Sequence, residues 1–202
     1  MAYIKSNDLF EQIPTEDIYK HILHPIVIAD HLMTPDNMGA MIRISDNIGA
    51  YEMCFLGTES KHSLGKVRRA AASSRGNIKW YFTEETNLRN IVPEGKTIVA
   101  IETTDDATCI YDTELPDNVA FIVGSESQGL SEELLSQCDM AVYIPVPGPT
   151  RSLNVSHAAA VALFEWQRQM IKKHLRKTTD IFSSTSTAPF GISMPPQKWP
   201  LR

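Results

Sequence analysis

Six short apolar runs recur along the chain with room for a helix between most of them: PIVIAD (25–30), YEMCFLG (51–57), IKWYF (78–82), TIVAIE (97–102), NVAFIVG (118–124) and MAVYIPV (140–146). Strands rich in Val and Ile and apolar at successive positions belong in sheets covered on both faces. Helix-like patterns at 37–49, 64–74, 84–91 and 131–138 supply the crossovers that parallel strands need. The chain is therefore expected to fold as an α/β protein with a mostly parallel sheet.

With 202 residues and 43% hydrophobic content there is material for one good core. The expected organisation is an N-terminal helical extension over 1–23, carrying Leu9, Phe10, Ile13, Ile18 and Ile22, then one domain over 24–177 that includes the last helix. A Ser/Thr/Pro-rich tail follows over 178–202, aperiodic and expected to be mobile or draped over the surface. From His157 onward Ala160, Phe164, Ile171 and Leu175 share a helix face, with Leu163 and Met170 beside them, to be packed on a core or a partner subunit. His157 is expected inside the helix start, packed and without a chemical role.

No uncharged apolar run approaches the ~20 residues that span a bilayer, and the N-terminus MAYIKSNDLFEQ carries acids where a signal peptide would be apolar. A cytoplasmic location without membrane contact is expected. Cys54, Cys109 and Cys138 lie far apart with no CxxC and no paired histidines, so neither a metal site nor a disulfide framework is signalled.

The net charge of −5 is a poor match to a polyanion, but its distribution is uneven. The segment 61–76 holds Lys61, Lys66, Arg68, Arg69 and Arg75 with no acid, whereas 84–118 holds nine acids against Arg89 and Lys96. A second cluster, Arg168, Lys172, Lys173, Arg176 and Lys177, rides on the last helix. Charge alone leaves two readings open, a bound polyanion or solvated helix faces.

The chemistry of a parallel sheet sits in the loops at the C-terminal ends of its strands. After the first run, Asn37 and Arg43 stand six residues apart across a helix start, where Asp36 or Asn37 would also serve as a plain cap. After the fifth comes GSESQGLS, with Gly124, Glu126 and Gly129; Glu126 there also suits the first turn of the next helix. Neither loop has a dinucleotide or phosphate-loop glycine pattern, which leaves a nucleotide-dependent oxidoreductase without support. IETTDD follows the fourth run, and the sixth leads into IPVPGPTRSLNVSH (144–157). Three prolines in that stretch exclude both ladder and helix, so its backbone groups must find other partners, a bound ligand among them.

NMGAMIR, GSESQGLS and IPVPGPTRSLNVSHA, in this order and at these separations, resemble the three motifs of the SpoU/TrmH family of RNA ribose 2′-O-methyltransferases, within the SPOUT superfamily. The resemblance runs from about residue 24 to 170, with Ser125 where the family commonly has Asn and with extra prolines before Arg151. It implies a Rossmann-like domain whose C-terminal third forms a deep trefoil knot, S-adenosyl-L-methionine held within that knot, and a homodimer with the pocket at the subunit interface. Carried over by position, Ile101, Gly124, Ile144, Ser152 and Leu153 line the cofactor site, and Arg43, Asn37, Glu126, Ser152 and Asn154 form the catalytic set. Arg43 would bind a phosphate of the RNA and stabilise the developing alkoxide, since a guanidinium with pKa above ~12 is a poor proton acceptor. Arg43, Lys66, Arg68, Arg69, Arg75 and Arg151 are the expected RNA contacts, and no metal is implied. The compact chain, with no separate RNA-binding domain before residue 24, points to tRNA ahead of ribosomal RNA; a SPOUT protein that binds RNA without catalysis is the remaining alternative.

Overall fold

The computed structural model describes residues 3–11, 19–20 and 22–182. After α1 (Ser6–Glu11) the chain builds β1 (Ile26–Asp30), α2 (Pro35–Asn47), β2 (Glu52–Leu56), α3 (Leu64–Ala71), β3 (Lys79–Thr83), α4 (Leu88–Ile91), β4 (Thr97–Ile101), β5 (Thr108–Cys109), β6 (Val119–Val123), α5 (Glu132–Leu135), β7 (Met140–Tyr143) and α6 (Val155–Phe182). Of the N-terminal extension, Ile13 and Ile18 lie outside the described residues, as does 183–202 of the expected tail. The last helix continues to Phe182, through 178–182.

All seven strands pair in parallel, in the order β3-β2-β1-β6-β4-β7-β5. Alternate residues of each central strand enter two separate cores. Val27, Ala29, Phe55, Val99 and Phe121 pack under α2, α3 and α6. Ile26, Ile28, Cys54, Ile98 and Ile122 pack against Leu88 and Val92 around α4 and Leu130 and Leu134 around α5. The expected strands are all present. β5 was not anticipated, because two residues carry no periodicity. The patterns at 84–91 and 131–138 yield only four-residue helices: Asn87 caps one through the Arg89 amide and leaves 84–86 outside it, while Ser131 caps the other through the Leu134 amide and that helix ends at Leu135.

α6 buries Ala159, Ala162, Leu163, Trp166 and Met170, a stripe one position off the face expected; Phe164 remains 47% exposed and His157 is exposed rather than packed. Trp166 donates from Nε1 to the Pro116 carbonyl at 2.9 Å, and Gln169 accepts from the Leu115 amide and donates to the Thr113 carbonyl. These bonds fasten the helix to the β5–β6 connection.

α2 and α3 touch most closely at Gly39, where a Cβ would come within 2.3 Å of the Ala70 Cβ and 2.7 Å of the Ala71 nitrogen. Gly39→Ala is therefore expected to cost stability despite the better helix propensity of alanine, by about 1–3 kcal/mol of overpacking. A thermal melt should record it as a loss of several degrees, at roughly 2–4 °C per kcal/mol for a domain of this size. An unchanged melting temperature would show that the seam can open without cost.

Candidate functional site

The loops that follow β1, β6 and β7 meet at the C-terminal edge of the sheet, and one carboxylate organises them. Gly124 ends β6 where a Cβ would fall 2.0 Å from the Gly129 carbonyl carbon, and Ser125 and Gly129 exchange both main-chain hydrogen bonds at 3.2 Å. Gly129 adopts φ of +67°, which favours glycine. The result is a tight closed loop with Glu126 in its turn. Glu102, just after β4, accepts from the Leu130 amide at 3.1 Å and braces the far side.

Glu126 reaches across to the loop after β1. Its Oε2 accepts from the Met33 amide at 2.8 Å, and its Oε1 accepts from the Thr34 amide and hydroxyl at 3.1 Å and from Asn37 Nδ2 at 2.8 Å. Asn37 Oδ1 in turn accepts from Asn154 Nδ2 at 2.9 Å, and Asn154 Oδ1 accepts from the amide and hydroxyl of Ser156 at 2.9 and 2.7 Å, opening α6. The direction of this relay follows from its ends. An ionised carboxylate only accepts, so Asn37 must turn its NH2 towards Glu126 and its oxygen towards Asn154; a backbone N–H only donates, which sets Asn154 the same way. Residues separated by 89 and 117 positions are thereby joined.

Burial pushes the Glu126 carboxyl up, but the hydrogen bonds from Asn37 and from the Met33 and Thr34 amides outweigh it and hold the group below its ordinary value. Glu126 is therefore ionised at neutral pH and saturated with donors, which suits it to positioning the loops and not to proton transfer. It does not cap α5; Ser131 does. Nor do Asp36 or Asn37 cap α2: Thr34 does, accepting from the Asn37 amide at 3.3 Å, with Pro35 at the first helical position. Thr34 and Glu102 were missed as site residues. Thr-Pro-Asp is a legible helix start, and Glu102 stands directly at a strand end.

Arg43 lies two turns along α2, exposed and six residues beyond Asn37, which places it about 120° around the helix. Its side chain has no hydrogen bond or ion pair among the described residues. Lys66, Arg68, Arg69 and Arg75 are exposed and likewise without carboxylate partners among the described residues. Four other cations are committed: Lys79 to Glu52, Arg89 to Asp139, Arg168 to Glu165, and Lys173 to Asp117. The second basic cluster is thus partly spent on the chain's own acids, while Arg176 and Lys177 have side chains outside those described. Arg151 donates to the Val146 carbonyl at 2.9 Å and props the proline loop.

Ile101, Gly124 and Ile144 stand at the ends of the neighbouring strands β4, β6 and β7, with Ile101 in register with Val123 and Val142. From Ile144 to Leu153 no main-chain group bonds to another main-chain group among the described residues. Ser152 and Leu153 are exposed, outside the Glu126 relay. An extended loop with free amides and carbonyls, flanked by Ile101 and Ile144, fits a ligand that has an apolar or aromatic part and several polar edges. No helix among the described residues is long and apolar enough to cross a membrane, and none of their His, Cys, Asp and Glu side chains group as a metal site.

Fold and edge together define an α/β protein whose ligand-binding end is the C-terminal rim of a parallel sheet. The chain belongs to the SpoU methylase family: the profile of the SpoU rRNA Methylase family matches residues 24–164. It is 32% identical over 154 residues to the tRNA (guanosine(18)-2′-O)-methyltransferase of Thermus thermophilus, covering 74% of this chain and 77% of that one. A 23S rRNA (guanosine-2′-O-)-methyltransferase of a Burkholderia species is also 32% identical over 154 residues, but there the match spans 61% of the relative. Among solved structures, the AdoMet-bound rRNA methyltransferase of Sinorhizobium meliloti superposes with a TM-score of 0.64 at 29% identity, over 77% of this chain and 60% of that one.

Proposed function

We propose that this protein is an RNA methyltransferase that transfers a methyl group from S-adenosyl-L-methionine to a ribose 2′-hydroxyl, with tRNA favoured as substrate and ribosomal RNA the second reading. The observation that carries the proposal is the Glu126–Asn37–Asn154 relay, which draws the three family motifs onto one rim. Bound against Ile101, Gly124, Ile144, Ser152 and Leu153, the cofactor supplies a methyl group already activated on a sulfonium. The chain's task is then to place and polarise a weak nucleophile. Arg43, with no partner among the described residues, is available to take an RNA phosphate and to stabilise negative charge developing on the 2′-oxygen. Asn37 and Asn154, held by Glu126, orient the loops around the ribose. The 2′-hydroxyl requirement excludes DNA.

Relatives at 32% identity include both a tRNA and a 23S rRNA guanosine 2′-O-methyltransferase, so both substrates enter the test below. The working unit is taken as 24–177, flanked by the extension 1–23 and the tail 178–202, acting in the cytoplasm on cellular RNA. The family's trefoil knot would fold the proline loop around the cofactor. A homodimer is supported by apolar groups left at the surface: Leu153 at 40% exposure and Met33 at 62% in the rim loops, and Phe164 at 47% on α6.

Incubation with labelled S-adenosylmethionine and, separately, unfractionated tRNA and ribosomal RNA is expected to label tRNA, at a ribose 2′-oxygen located by mass spectrometry. Labelling of ribosomal RNA alone would reverse the order of the two substrates. RNA binding with no labelled product would establish a binding protein instead of an enzyme.

A further inference from the structure

On the α3 side of the edge strand β3 lies a hollow of about 620 Å³ lined by Glu59, Arg68, Arg75, Trp80 and Phe82. That volume falls within the range of small-ligand sites, ~300–1,000 Å³. Trp80 and Phe82 are two positions apart and so share one face of β3, ring centroids 6.4 Å apart and edge-on. Trp80 Nε1 donates to the Arg75 carbonyl at 3.1 Å, which fixes the indole, and the Arg68 guanidinium lies 6.0 Å from the Trp80 ring centre. His62 stacks on Phe82 at 5.4 Å. Burial and the Lys61 ammonium hold its imidazole below its usual range against the opposing pull of Glu126, so at neutral pH it offers a flat uncharged ring.

Three features select the occupant. Arg68 and Arg75 lack carboxylate partners among the described residues, whereas Lys79 on the same strand β3 is paired with Glu52, so the two guanidinium groups beside Trp80 are available to an anion from outside. Aromatic rings beside unpaired guanidinium groups are the combination that takes an unstacked base with its phosphates. The hollow is also close to the rim: β3 is two strand spacings from β1, about 10 Å. A flanking residue of a bound RNA spans such a gap.

We infer that this hollow is a second RNA subsite, which holds an unstacked nucleotide near the methylated ribose, its base against Trp80, whose neighbour Phe82 is already stacked between Phe55 and His62, and its phosphates on Arg68 and Arg75. Glu59 in the lining accepts from an exocyclic amino group, so adenine, guanine and cytosine are preferred over uracil. The inference rests on the RNA methyltransferase reading, and two readouts separate them.

In the transfer assay, Arg68→Glu combined with Arg75→Glu is expected to raise KM for unfractionated tRNA by about tenfold or more, with kcat and the KM for S-adenosylmethionine within about twofold. Independently of turnover, a heptamer of oligo(A) is expected to quench tryptophan fluorescence in the wild type more strongly than oligo(U), and the quenching should vanish in Trp80→Phe. A tRNA KM within about twofold of wild type overturns the subsite. So does quenching that survives in Trp80→Phe. Absence of any quenching by oligonucleotides likewise removes RNA from this hollow and leaves a protein partner. Loss of transfer with all RNAs, alongside Trp80-dependent quenching, would refute the enzymatic reading and leave the subsite standing.

Discussion

Arg43→Ala is expected to lower methyl transfer by about 10²–10³-fold, the usual cost of losing one group that stabilises developing oxyanion charge. Affinity for S-adenosylmethionine should stay within about twofold, because the strand ends and the proline loop that would hold it are separate from Arg43. The geometry behind this expectation is the isolation of the side chain: the Arg43 guanidinium is exposed on α2 and bonded to nothing among the described residues. Its removal leaves no orphaned partner, so stability should barely move and the loss can be read as chemistry. Arg43→Lys sharpens the test. A lysine keeps the charge but not the planar fork that grips a phosphate through two donors, so partial rescue indicates a charge role and none indicates bidentate binding. Turnover of Arg43→Ala near that of wild type would remove Arg43 from the mechanism.

The sheet was legible because its central strands β1, β2, β4 and β6 are buried on both faces, which makes them nearly continuous apolar runs. Their order was not, since nothing local in 119–123 states that β6 lies between β1 and β4. Local signals also misplaced short helices: 84–91 shows helical spacing, yet the Glu85 carboxylate accepts from the Asn87 amide and holds that stretch in a turn before α4 begins. The site divides the same way. Asn37, Glu126 and Asn154 were each visible as motif residues, but their mutual bonds join segments 89 and 117 residues apart, which only the folded sheet brings together. The second basic cluster was readable in advance as less than it seemed, because Glu165 stands three residues before Arg168, the spacing of a helical ion pair.

Glu126→Gln should be almost as damaging to activity as loss of Arg43, for a different reason. The wild-type carboxylate receives four donors, from Met33, Thr34 twice and Asn37. Glutamine offers one oxygen and turns an NH2 towards the remaining N–H groups, so at least one loop must move. If Asn37 flips to meet it, Asn154 then faces the wrong end of its neighbour and the cap on Ser156 is lost in sequence. Displacement of positioning groups by about 1 Å costs on the order of 100-fold in rate. The stability cost is expected to be about 1–3 kcal/mol, as for a hydrogen-bonded charged group, and towards the lower end because Glu126 is partly exposed and water can reach the freed amides. The pH dependence has a defined sign. The carboxyl is held below its free value of 4.5, so its contribution is complete above that pH and is lost only as pH falls through the lower folded value. The stability gap between wild type and Glu126→Gln, measured by denaturant titration, should therefore be flat from about pH 8 to about pH 5 and shrink on further acidification. A gap that closes already between about pH 7 and 6 would mean that Glu126 is protonated near neutrality, against the donors that surround it.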